Sequence, residues 1–246
     1  MQKTYIKQFP YIRIFACFAI VVLHTLFASN AYYDGLITGT EKLVTQTAEN
    51  MLMWAVPCFL MITGALLLDE NKNLTGEKIF KYTRRMVISL LVFTLLFQIL
   101  DYATGFRKTL LTGWLYRLFT GQSWAHMWYL YLMIGLYLMM PFYKMVADHA
   151  TDRQMWGLIG SIVLFVSLLP LSRIFGLEPG FYIPTTMIYP AYLFLGHMFR
   201  KKSLGKVESW MLFLIPSVII IMLSTYCSAV LGQVSDETFQ ILFGYG

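Results

Sequence analysis

Apolar residues run along this chain in long blocks, separated by short clusters of charged and turn-forming residues. Seven blocks, at 11–31, 44–68, 86–104, 127–147, 156–173, 184–199 and 209–231, reach or approach the roughly 20 residues that a helix needs to cross a bilayer. None shows the short alternation of barrel strands. After Gly232 the chain turns polar and then apolar again from Phe239 to Phe243, which reads as an eighth helix cut short. The pattern predicts an all-α fold: a polytopic transmembrane helix bundle of seven or eight spans. It forms a single domain over 1–246, with C-terminal spans missing. The segment 105–126 fits no span and reads as a re-entrant or interfacial helix; Trp114, Tyr116, Trp124 and the following Trp128 suit an aromatic belt.

Composition agrees with that pattern. Charged residues make up 13% of the chain and hydrophobic ones 58%, where a soluble domain carries about 25% charged. The first partner is therefore the lipid bilayer. No cleavable signal peptide is evident, because the first block holds Arg13 and His24 and no small-x-small site follows it. With the N-terminus in the cytoplasm, fourteen of the nineteen Lys and Arg fall on the cytoplasmic side. By the positive-inside rule this predicts a multi-pass protein with a cytoplasmic N-terminus. The net charge of +6 is thus loop anchoring and predicts no nucleic-acid partner. Cys17, Cys58 and Cys227 lie in apolar runs without a CxxC pattern, so neither a disulfide nor zinc is expected. The four histidines lack HExxH or paired spacing, so no metal is expected. The helix faces are too uniformly apolar to mark an oligomer interface.

Against this background the ionisable residues inside spans stand out, since each is costly there and is a functional candidate by default. Arg13 and His24 lie eleven positions apart in the first block. At about 100° per residue they return to within roughly 20° of one direction, separated by about 16 Å along the axis. A cation at the membrane edge is thereby aligned with a histidine near the midplane, where a neutral imidazole can serve as a general base. The plainer reading makes Arg13 a topology anchor and His24 a packing donor.

Other candidates are weaker taken alone. Lys81, Arg84 and Arg85 precede the third span and are what topology alone would place there; they can also bind phosphate. His126 opens the fourth span beside Trp128 and Tyr129, aromatic residues that suit either sugar stacking or the membrane belt. Glu49 and Asp101 lie near the outer ends of the second and third spans. Either can orient a histidine or bind a sugar hydroxyl, and the ordinary reading of both is a solvated interfacial carboxylate.

The order of these segments resembles the acyltransferase 3 family, integral membrane proteins that acylate sugars of surface polysaccharides and other envelope molecules. Arg13, ten residues, then His24 is similar to that family's first-helix signature. Val56-Pro57-Cys58-Phe59-Leu60-Met61-Ile62-Thr63-Gly64 resembles its VPxFFxxSG stretch, with Thr63 as a departure. Lys81 to Arg85 resembles its basic cluster. His126-Met127-Trp128-Tyr129-Leu130, with Tyr137 and Pro141 downstream, resembles its H-x-W-F/Y-L segment, and Tyr192 to Gly196 a later aromatic segment ending in glycine. The resemblance implies transfer of an acyl group, acetyl by default, from cytoplasmic acyl-CoA to a hydroxyl of an envelope or exported glycan. The donor is a substrate, and no permanently bound cofactor is implied. It further implies that His24 is the catalytic base, with Arg13, Lys81, Arg84 and Arg85 on the donor phosphates. His126, Trp128, Tyr129 and Glu49 become acceptor-side candidates, and the location becomes the plasma membrane. The competing reading is a polysaccharide export component or membrane transporter using Arg13 and His24 as a proton relay. The repeated halves common among transporters are not visible here.

Overall fold

In this computed structural model the described residues are 8–33, 36, 38–170, 172, 177, 180, 184–201, 218, 219 and 222. Among them the chain is helical, with no strand. Eight α-helices follow in order: α1 Gln8–Tyr32, α2 Gly39–Leu52, α3 Ala55–Leu67, α4 Gly76–Ala103, α5 Leu111–Thr120, α6 Trp128–His149, α7 Asp152–Val163 and α8 Ile188–Lys201. Four stretches are long and apolar enough to cross a membrane: 8–32, 44–67, 76–103 and 128–149. The fifth and sixth expected spans are shorter helices here. α7 has 12 residues before a wider π turn extends it through Leu168, and α8 has 14. Apart from residues 218, 219 and 222, the expected seventh span and the apolar stretch after it lie outside the described residues.

Local chemistry sets most boundaries. Thr38 and Glu41 form a reciprocal capping box that starts α2, and Thr151 with Gln154 does the same for α7. Gly121, at φ +69°, ends α5 in a left-handed conformation that glycine adopts without steric cost. The expected span 44–68 corresponds to the 24-residue stretch Val44–Leu67, in which the helix is interrupted at Met53–Trp54 between α2 and α3. Pro57 is the cause: it has no N–H to give Met53, four residues back, and its ring crowds that carbonyl. Pro141 lies inside α6, where it removes the bond to Tyr137 without ending the helix.

The described residues fall into two compact units. The first combines residues up to Asp69 with those from Ala150 onward; the second is Glu70–His149. In the first unit, α1 packs on α2 and α3 through small residues, Ala16, Ala19 and Ala55, which let helix backbones approach closely in lipid. α3 and α8 come closer still. A β-carbon on Gly64 would run into the carbonyl of Leu193, and one on Gly196 into the carbonyl of Met61. Each glycine thus faces the residue three before the other glycine, and the direction of the two helices is set by their ends. The C-terminal ends lie together, since Arg200 of α8 pairs with Asp69 and donates to the Ala65 carbonyl at 2.7 Å. That carbonyl is one of the last four of α3, which have no partner within the helix. In the second unit α4 and α6 run antiparallel, with Tyr82 against Tyr137 at 5.7 Å and Phe97 against His126 at 5.1 Å.

Polarity is inverted relative to a soluble protein. Phe15, Phe18 and Val21 of α1 and Val92, Phe93 and Leu96 of α4 are exposed, whereas Glu49, Thr94, Gln98, Asp101 and Lys144 are buried. Outward apolar faces with polar groups turned inward are what lipid as solvent selects.

Candidate functional site

α1 is unbroken from Gln8 to Tyr32, so Arg13 and His24 lie on one helix face, as their spacing predicts. Ala16, Ala19 and Leu23 form the buried stripe of α1, and His24 flanks it, half-buried, with its ring 6.4 Å from Phe27. Arg13 is exposed. Glu49 is not the solvated carboxylate that its interfacial position predicts. It is 4% exposed, and Asn30 of α1 donates to it at 2.6 Å. The Asn30 carbonyl oxygen in turn accepts from Thr45 at 2.9 Å, so Glu49 belongs to a polar clasp between α1 and α2.

In the second unit Lys81, Arg84 and Arg85 occupy positions i, i+3 and i+4 of α4 and are all exposed, which gathers three cations on one helix face. Twenty residues along the same helix, about 30 Å at 1.5 Å per residue, lies Asp101. It is buried at 7% exposure, again not solvated. Thr94, Gln98 and Asp101 follow at i, i+4 and i+7, so they share one buried face of α4, and α5 is held against that face. The Trp114 indole donates to Thr94 at 2.9 Å, Arg117 donates to Gln98 at 2.5 Å, and Gln98 donates to the Thr109 carbonyl at 2.5 Å. Trp124 donates to Asp101 at 3.4 Å, and Arg117 stands 3.9 Å from the same oxygen. Thr94, Gln98, Asp101, Trp114, Arg117 and Trp124 line a pocket of about 130 Å³.

His126 is half-buried in the turn that opens α6. Its ring meets Phe97 edge-on at 5.1 Å and Trp124 at 6.0 Å, while Phe97 and Trp124 stack at 4.7 Å. His126 therefore adjoins the pocket through the aromatic pair that lines it. Trp128 and Tyr129 meet edge-on at 6.2 Å. Sequence reasoning missed Gln98, Trp114 and Arg117 as site residues. The available signal was three polar positions on one face of the largely apolar 86–104 block, followed within twenty-five residues by two tryptophans and two arginines.

Outward-facing apolar helices, inward polar groups, and cations and a polar pocket toward opposite ends of one long helix define an integral membrane protein with interior polar chemistry. The acyltransferase 3 family model, described as an acyltransferase domain, matches residues 6–245, and the chain belongs to that family. It is a membrane acyltransferase, an enzyme that transfers groups other than aminoacyl groups. No curated protein and no solved structure matches it.

Proposed function

We propose that this acyltransferase works in the plasma membrane with its N-terminus in the cytoplasm. There it moves an acetyl or similar short acyl group from cytoplasmic acyl-CoA to a hydroxyl of an envelope or exported glycan. The observation that carries the proposal is the family match over nearly the whole chain, together with Arg13 and His24 on one unbroken helix. His24 takes the proton of the attacking hydroxyl, whose oxygen then bonds to the acyl carbon as the CoA thiolate departs. Arg13, Lys81, Arg84 and Arg85 hold the donor phosphates, and guanidinium groups suit them because two N–H bonds can reach one phosphate. Glu49, Trp128, Tyr129 and His126 remain acceptor-side residues in this reading. The blocks 156–173, 184–199 and 209–231 complete a bundle of seven or eight spans. The common direction of α3 and α8 supports that alternation, since a second and a sixth span end on the same side.

Donor recognition can be tested with the detergent-solubilised chain and acetyl-CoA, reading release of the CoA thiol. The Arg84→Gln, Arg85→Gln double variant is expected to raise KM for acetyl-CoA by about ten- to a hundredfold, as for lost hydrogen bonds to a charged group. With S-acetylpantetheine, which lacks the nucleotide phosphates, wild type and variant are expected to match. An equal loss on both donors would assign the arginines to topology.

A further inference from the structure

The pocket beneath α5 has more hydrogen-bonding capacity than its own contacts consume. Gln98 accepts from Arg117 at its carbonyl and donates to Thr109 from its amide, and Thr94 both donates to Leu90 and accepts from Trp114. Those bonds clamp α5, and nothing more is needed to explain them. Asp101 and Arg117 are different. An ionised carboxylate can accept about four hydrogen bonds and a guanidinium can give five. Among the described residues, the Asp101 carboxylate has one long bond from Trp124 at 3.4 Å and Arg117 at 3.9 Å. Among the same described residues Arg117 gives one hydrogen bond, to Gln98. Two opposite charges in a largely buried setting normally close to direct contact, because an open pair forgoes the attraction that offsets desolvation. These two face a shared pocket instead.

The group that fits such an opening must both donate and accept. A hydroxyl does so, giving its proton to Asp101 and taking an N–H from Arg117, and two neighbouring hydroxyls do so best. Indole surface from Trp114 and Trp124 lines the same pocket and can cover the C–H face of a ring. The volume of about 130 Å³ suits one small polar group, a single ring and not a chain of sugars. The place along α4 matters too. The pocket lies about 30 Å from Lys81, at the end of the helix away from the cations assigned to the donor.

The geometry points to a binding site for one neutral, polyhydroxylated ring of the acceptor, gripped by Asp101 and Arg117 and covered by Trp114 and Trp124. Assigning the ring to the acceptor rests on the acyl-transfer reading; the binding of a polyhydroxylated ring does not. The test therefore has two arms. In the first, tryptophan emission of the purified full chain is titrated with the methyl glycosides of glucose, galactose, rhamnose and N-acetylglucosamine. A saturable change in wild type, lost in Asp101→Asn and weakened in Trp124→Phe, is the expected result. No response of wild type to any of the four glycosides would overturn the site. In the second arm, transfer from acetyl-CoA to the responding glycoside is followed. Asp101→Asn is expected to raise KM for the glycoside about tenfold or more while KM for acetyl-CoA does not move. A rise in KM for acetyl-CoA instead, or no change in either, overturns the proposal. A saturable response without transfer keeps the site and removes the acyl-transfer reading. Elution and melting temperature equal to wild type verify that each variant is folded; Trp124→Phe, which keeps the stack on Phe97, carries the test if Asp101→Asn is not.

Discussion

Replacing His24 by alanine or glutamine is expected to lower turnover about 10²–10⁴-fold, the span that a positioned general base contributes. The protein is expected to remain in the membrane at wild-type amount. Glutamine is the more informative substitution, because it keeps the size and a hydrogen-bonding side chain but cannot take a proton near neutral pH. If His24 only packs, His24→Gln costs little. If it is the base, both substitutions fall together. The pH dependence separates the cases further. A base must be unprotonated to act, so wild-type turnover is expected to decline as pH falls through the imidazole range. The residual rate of His24→Gln is expected to lack that decline. Release of CoA thiol from acetyl-CoA in the presence of acceptor, followed across pH, reads both effects. A His24→Gln enzyme that keeps wild-type turnover and pH profile would assign His24 to packing.

The second large effect concerns stability. Gly64→Ala and Gly196→Ala are each expected to destabilise the protein strongly, because the added methyl would occupy the position of a backbone carbonyl on the facing helix. Overpacking a core typically costs about 1–3 kcal/mol when side chains can give way. Here the neighbour is backbone, so the loss is expected at or above the upper end of that range, and Gly64→Val more than Gly64→Ala. Gly157→Ala and Gly160→Ala supply the control. A β-carbon at either position of α7 meets nothing within 4 Å. Alanine in an open helical position stabilises by about 0.4–1 kcal/mol through the unfolded chain. Thermal unfolding of the solubilised protein should therefore move in opposite directions for the two pairs of variants. If Gly64→Ala melts with wild type, the close crossing of α3 and α8 is wrong.

The parts of this molecule that follow from local rules were legible in the sequence. The Arg13–His24 alignment needs only helical periodicity, and α1 is continuous. The segment 105–126 was marked as something other than a span, and it contains the short amphipathic α5. The hydropathy of 44–68 concealed a break that Pro57 imposes four residues upstream, because an apolar block reports burial in lipid and not backbone continuity. Glu49 was misjudged for a different reason. Its distance from the block's centre places it at the interface, but its burial depends on Asn30 reaching across from α1, a tertiary contact. Gly64 and Gly196 could be matched to family segments, yet their reason, two glycines each facing the other's helix backbone, exists only once α3 and α8 are paired. The pocket was missed because Trp114 and Trp124 read equally well as belt residues and Arg117 as a loop charge. It takes the docking of α5 and of the turn that follows it to set them against Asp101.

The central claim, acyl transfer to an envelope glycan with His24 as base, is tested most directly by the mass of the surface glycan in whole cells. A strain lacking the protein is complemented with the full chain as wild type or His24→Gln, with membrane levels matched. The account predicts that wild type restores an acyl increment on the glycan and that His24→Gln does not, with the increment identifying the group transferred. An unchanged glycan mass on deletion, accompanied by less exported polymer, would contradict acyl transfer to that glycan and assign the protein to export.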